Sequence, residues 1–117
     1  MLKSGKPRPL TAHWAVMKEF DEEMYQKCID WRDAITYNSV LPLREKEMMM
    51  IAMTCLLRFE AGIRIHVRYG LAEGLTRDEV IACATLPLLL GGISVFSESI
   101  KIVTDELDKI EKEGGSK

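Results

Sequence analysis

The sequence predicts an all-α fold, a bundle of about five helices within one domain spanning residues 1–117. Three observations carry this reading. No stretch alternates apolar and polar residues with the period of two that a half-buried strand requires. The chain holds no Asn-Gly or Asp-Gly dipeptide, the strongest short-range hairpin signal. Apolar residues recur instead at steps of three, four and seven, which place them on one face of a helix. The 117 residues, 47% of them apolar, suffice for one core and bury roughly 65% of the surface the unfolded chain exposes.

Residues 1–10 contain Gly5, Pro7 and Pro9 and read as an extended arm, because proline blocks an early helix. The first helical segment is expected over residues 11–36, with Trp14, Met17, Met24, Cys28, Trp31 and Ile35 along one side. Asn38, Ser39 and Pro42 end it. The second, residues 43–58, begins with Arg44, Glu45, Lys46 and Glu47 and then becomes apolar all round, the pattern of a helix buried on every side. The third, residues 60–73, stops at Gly74, a residue suited to the left-handed turn past a helix end. Thr76 and Glu79 have the Thr-x-x-Glu spacing of a capping box and mark the next helix start. Pro87 should kink or stop that helix, and Gly91-Gly92 should break the chain before the last one. The C-terminal helix, residues 93–113, carries Ile93, Phe96, Ile100, Val103, Leu107 and Ile110 at steps of 3, 4, 3, 4, 3. Such a seam is too short for a free-standing coiled coil and is expected to pack against the first segment or a second subunit. The tail from Gly114 should fray.

Charge and cysteine content narrow the function. Sixteen basic against eighteen acidic side chains give −2, with no positive excess to neutralise phosphates, so nucleic acid is not an expected partner. The longest apolar run is ten residues, Met48 to Leu57, where a bilayer core needs about 20, and no signal-peptide pattern opens the chain; a cytoplasmic protein without a membrane partner is expected. Cys28, Cys55 and Cys83 are odd in number, widely spaced and outside any Cys-x-x-Cys pair, which argues against a disulfide framework or a structural metal.

Two histidines are present. His13 falls in the first turn of the first segment, among residues expected to be solvated. His66 has Gly62 and Gly70 four residues to either side and Ile63 and Tyr69 three away. Each glycine costs a helix interior about 1 kcal/mol relative to alanine, so the pair requires a reason. Either the glycines open a small cavity beside the imidazole, or they let a neighbouring helix approach closely. An imidazole suits proton transfer near neutral pH. Glu47, the last charge before the apolar run, is the best acid to orient it, although it equally suits the first turn of a helix as a complement to the dipole. Glu60 is the other candidate acid and is expected to cap the third segment. A hairpin turning near residues 59 and 60 would leave Glu47 and His66 about six residues out of level, roughly 9 Å, so that a helix crossing or a bridging water is required.

Residues 43–92 resemble the carboxymuconolactone decarboxylase and alkyl hydroperoxidase D-like family. The resemblance rests on Arg44-Glu45-Lys46-Glu47 entering an apolar helix, on Ile65-His66-Val67-Arg68 followed by Gly74, on Thr76-Arg77-Asp78-Glu79-Val80, and on Gly91-Gly92. The peroxidase branch pairs such a glutamate and histidine with a Cys-x-x-Cys motif, whose positions here are Phe59 and Gly62. With both thiols missing, the resemblance points to the decarboxylase branch. That implies an alkyl hydroperoxidase D-like bundle and a carboxy-lyase acting without metal or organic cofactor on a small carboxylated lactone or similar enolisable carboxylate. His66 would be the general acid or base and Glu47 its orienting partner. Phe59, Gly62, Ile63 and Tyr69 would bound the pocket, and Arg58 and Arg44 would supply an anion clamp. Arg64 and Arg68 fall on the face away from His66, where solvated or intersubunit roles are expected. The resemblance also implies a homo-oligomer, a trimer or hexamer. Two alternatives stand beside this reading: a thiol peroxidase whose nucleophile has moved to Cys55 or Cys83, and an oligomeric scaffold or binding protein without chemistry.

Overall fold

The computed structural model describes residues 11–115, so the expected arm 1–10 lies outside the described residues, as do 116 and 117. Asp21 divides the first predicted helix in two: α1 (Ala12–Phe20) and α2 (Glu22–Thr36). Its backbone is extended, with φ −156°, and its carboxylate accepts a hydrogen bond from the Met24 amide at 3.0 Å. Glu22 and Glu23 follow in the first turn, where acids complement the helix dipole. Neither α1 nor α2 buries a side chain, and Phe20, Trp31 and Ile35 are exposed. Of the predicted apolar stripe, Trp14, Met17 and Cys28 are half-buried and Met24, Trp31 and Ile35 are left uncovered by the described residues.

The core is built by the helices that follow. α3 (Leu43–Leu56) and α4 (Glu60–Ala72) form a tight pair. They are joined through Arg58, whose φ of 55° turns the chain sharply, and the Phe59 amide donates back to the Thr54 carbonyl at 3.0 Å. Contrary to expectation, α3 is not buried all round: Ile51, Thr54 and Cys55 face inward, while Met49 and Met53 lie on an open face. The capping box forms as its spacing requires. Thr76 Oγ1 accepts from the Glu79 amide, Glu79 accepts from the Thr76 amide, and α5 (Arg77–Thr85) begins there. Pro87 closes that helix and starts the four-residue α6 (Leu88–Gly91); Gly92, at φ 83°, then redirects the chain into α7 (Ile93–Gly115). The split at Asp21 and the short α6 raise the expected five helices to seven among the described residues, with no strand. α7 runs through Gly114 to Gly115, and the rest of the tail expected to fray lies outside the described residues.

α7 packs on α3, α4 and α5, not on the first segment as its seam suggested. Val103 and Leu107 join Ile51, Ile63, Val67 and Val80 in the buried cluster. Ion pairs flank this seam. Arg64 reaches Asp105 at 2.7 Å and Glu106 at 2.9 Å, and Arg68 binds Glu106 and, at 3.0 Å, Glu113. These two arginines lie away from His66 as anticipated, and within one chain they fasten α4 to α7. No helix of the described residues is long and apolar enough to cross a membrane.

Candidate active site

The short α3–α4 turn brings Glu47 and His66 together. With the chain reversing at Arg58, Glu47 lies eleven residues before the turn (58 − 47) and His66 eight after it (66 − 58). The offset is then three residues, about 4.5 Å along the axes instead of 9 Å, and the two side chains span it without water. His66 Nδ1 and Glu47 Oε2 are 2.6 Å apart. Glu47 is 1% exposed and the imidazole 15%. A carboxylate sealed to this degree requires hydrogen-bond partners, and the ring N–H supplies one. With Nδ1–H donating to Glu47, the neutral ring carries its lone pair on Nε2. The Tyr69 ring meets the imidazole edge-on at 5.5 Å and holds its tilt.

His66 and Glu47 both border a cavity of about 650 Å³, within the usual range for small-molecule sites. The cavity does not lie where Gly62 and Gly70 pointed. Its walls are the inner face of α2, the segment carrying Asn38, Val40 and Leu41, and the open face of α3 with Met49, Met50 and Met53. His66 is the only residue of α4 among the lining.

The residues expected around the pocket take other positions. A Cβ on Gly62 would meet Phe59 Cδ2 at 2.5 Å, so this glycine accommodates the Phe59 ring; one on Gly70 would meet Leu75 at 2.8 Å and Ile51 at 3.1 Å. Both glycines thus serve close packing, and neither lines the cavity. Ile63 is fully buried in the core and Tyr69 nearly so, in contact with His66 but off the cavity wall. Arg58 is held by Glu98 at 3.3 Å and Ser94 at 3.0 Å, both on α7, and Arg44 by Glu79, so neither clamps an anion beside His66. Glu60 accepts from Arg64 at 3.1 Å in the first turn of α4. His13 is exposed, bonded to Thr11 and set against Trp14.

Sequence reasoning missed the α2 wall and two cations that border the cavity, Arg32 on α2 and Lys46 on α3. A signal existed: Trp31 and Ile35 stand four apart on a helix, with Val40, Leu41, Met49 and Met53 following. That is more apolar surface than one small core needs. Among the described residues no three His, Cys, Asp or Glu side chains gather as a metal site would require.

Cys55 and Cys83 are poor nucleophiles. Cys55 is fully buried, and burial pushes its thiol up to about 11; burial likewise raises Cys83. A thiolate is the reactive form, and both residues disfavour it.

The model of the carboxymuconolactone decarboxylase family matches residues 22–105, well over half of the chain. Among solved structures, a provisionally designated carboxymuconolactone decarboxylase from Burkholderia xenovorans LB400 superposes with a TM-score of 0.79 at 20% identity, over 92% of this chain and 85% of its own. A carboxymuconolactone decarboxylase family protein from Thermotoga maritima, for which a part in an antioxidative response has been suggested, superposes with a TM-score of 0.65 at 22% identity, over 86% of this chain and 92% of its own. At these identities the likeness speaks for a shared fold. No curated protein matches the sequence.

Proposed function

The chain belongs to the carboxymuconolactone decarboxylase family, and from that premise we propose that it is a cofactor-free acid/base enzyme acting on a small carboxylated lactone or a related enolisable carboxylate. The observation that supports this most is the sealed Glu47 carboxylate bonded at 2.6 Å to an imidazole that borders a cavity of about 650 Å³. Glu47 fixes the His66 tautomer and orientation, and Nε2 exchanges the proton. Nε2 first takes up a proton from water; when carbon dioxide leaves, the electron pair of the broken C–C bond passes into a dienolate, and His66 gives that proton to carbon and reverts to the neutral ring. One positioned acid or base contributes about 10² to 10⁴ in rate. The largely apolar walls strengthen whatever charge stabilises the enolate.

The test is release of carbon dioxide from carboxylated lactones by the wild type and by His66→Ala. A loss of about a hundredfold or more in kcat is expected, and equal turnover would remove His66 from the reaction. The relocated-thiol reading draws no support from Cys55 and Cys83, buried as they are with raised thiols. The uncovered stripe of Phe20, Trp31 and Ile35 favours a homo-oligomer, a trimer or hexamer. Light scattering after size exclusion would show a mass several times 13.3 kDa, and a stable monomer would overturn this part of the reading.

A further inference from the structure

Taking the His66 cavity as the substrate site proposed above, we infer that Lys46 is its anion-recognition residue and that the cavity selects small monocarboxylates with an apolar body. The argument is a balance of charge around the wall. Three charged side chains line the cavity: Arg32, Lys46 and Glu47. Glu47 is sealed and bonded to His66. Arg32 is neutralised, since its Nε and Nη2 both donate to Asp33 Oδ1, at 3.3 and 3.1 Å, while its guanidinium lies over the Trp14 ring.

Lys46 is different. Its ammonium donates to the Thr36 carbonyl at 2.7 Å and to the Asn38 carbonyl, at the C-terminal end of α2. Both acceptors are neutral, and among the described residues no carboxylate pairs with it. An ammonium has three donors, so one N–H and the whole positive charge remain for an occupant. The rest of the wall, including Trp31, Ile35, Val40, Leu41 and Met53, offers no second unmatched cation. One charge therefore suits one carboxylate, and a second carboxylate on the ligand would be desolvated without a partner. Lys46, Glu47 and His66 line the same cavity, so a molecule held by the ammonium shares that space with the pair that moves the proton.

Lys46 also ties the 37–42 segment to α2, so the experiment has to separate charge recognition from a structural tie. Benzoate, neutral benzamide and dianionic isophthalate are titrated, with amide shifts of isotope-labelled protein as the readout, into the wild type, Lys46→Met and Lys46→Arg. Benzoate is expected to bind the wild type at least tenfold more tightly than either competitor. Lys46→Met should weaken benzoate about ten- to a hundredfold, the worth of a hydrogen bond to a charged group, and leave benzamide unchanged; Lys46→Arg should restore most of the loss. Equal weakening of benzoate and benzamide by Lys46→Met, or no preference for benzoate in the wild type, would overturn the inference. The two readings fail separately. Charge discrimination that depends on Lys46 alongside turnover indifferent to His66 would sink the decarboxylase reading and leave the anion site. Turnover that needs His66 without charge discrimination would do the reverse.

Discussion

Replacing His66 with alanine tests the central pair through stability, independently of any substrate. The substitution removes the Nδ1 donor and leaves Glu47, 1% exposed, short of that bond. Leaving a buried carboxylate short of its donor costs up to about 3–5 kcal/mol. Both side chains border the cavity, so water can enter the vacated space and offset part of the loss; the expected cost is at the low end, about 3 kcal/mol. Against an ordinary stability of 5–15 kcal/mol the variant stays folded. Its urea midpoint at pH 7.5 should fall by roughly 2 M if the slope is about 1.5 kcal/mol/M. The companion Glu47→Gln/His66→Ala replaces the buried charge with a neutral amide of the same shape and should recover about 1–2 kcal/mol of the loss. A cycle through Glu47→Gln alone then isolates the coupling, expected at about 1–3 kcal/mol. If His66→Ala lies within about 0.5 kcal/mol of the wild type, or if the double variant is no more stable than the single one, ring and carboxylate do not depend on each other and the site as described is wrong.

Four further outcomes follow from the same geometry. Ellman's reagent at pH 8 should label the half-buried Cys28 and spare Cys55 and Cys83 until the protein is unfolded; three fast thiols in the native state would contradict their burial. Because the Cys55 thiol is raised from 9.0 to about 11 on folding, its protonated form contributes fully below pH 9, and about 3 kcal/mol is lost as pH climbs from 9 through 11, a loss that Cys55→Ala should abolish in alkaline melts. Gly70→Ala gains about 1 kcal/mol of helix propensity but presses on the buried side chains of Leu75 and Ile51, a strain of about 1–3 kcal/mol, so its melting temperature should drop by a few degrees and a rise would refute the packing role; Gly62→Ala meets the half-exposed Phe59 ring, which can swing outward, and should be closer to neutral. Thr76→Ala removes the cap of α5 and should cost about 1 kcal/mol in denaturant melts.

The readings that depend on local chemistry matched the structure closely. The capping box at Thr76 and Glu79, the stop at Pro87 and the reversals at Gly74 and Gly92 each depend on one or two neighbouring residues, and all appear. Asp21 was legible too: an aspartate followed by two glutamates is a helix start, but the apolar period runs through it and hid the break. What could not be read was where the space beside His66 lies and which distant acids hold the arginines. Gly62 and Gly70 flank His66 on its own helix, yet the space beside the ring comes from α2, whose approach no spacing within α4 encodes. The arginines were misassigned for a related reason. Arg44 and Arg58 are near His66 in sequence order, but their partners Glu79 and Glu98 lie on helices 35 and 40 residues further along (79 − 44, 98 − 58).

The helices α1 and α2 bury none of their own side chains, and yet α2 forms one wall of the cavity. Their attachment to the remainder is correspondingly weak, and sub-global opening of such a unit lies at the low end of a protein's free-energy range. Occupancy and closure then become a single equilibrium. A guest molecule brings apolar surface that the described residues do not provide, and every tenfold excess over its dissociation constant latches the two helices by a further ~1.4 kcal/mol. Slowed amide exchange along α2 would therefore report a filled site before any product had formed.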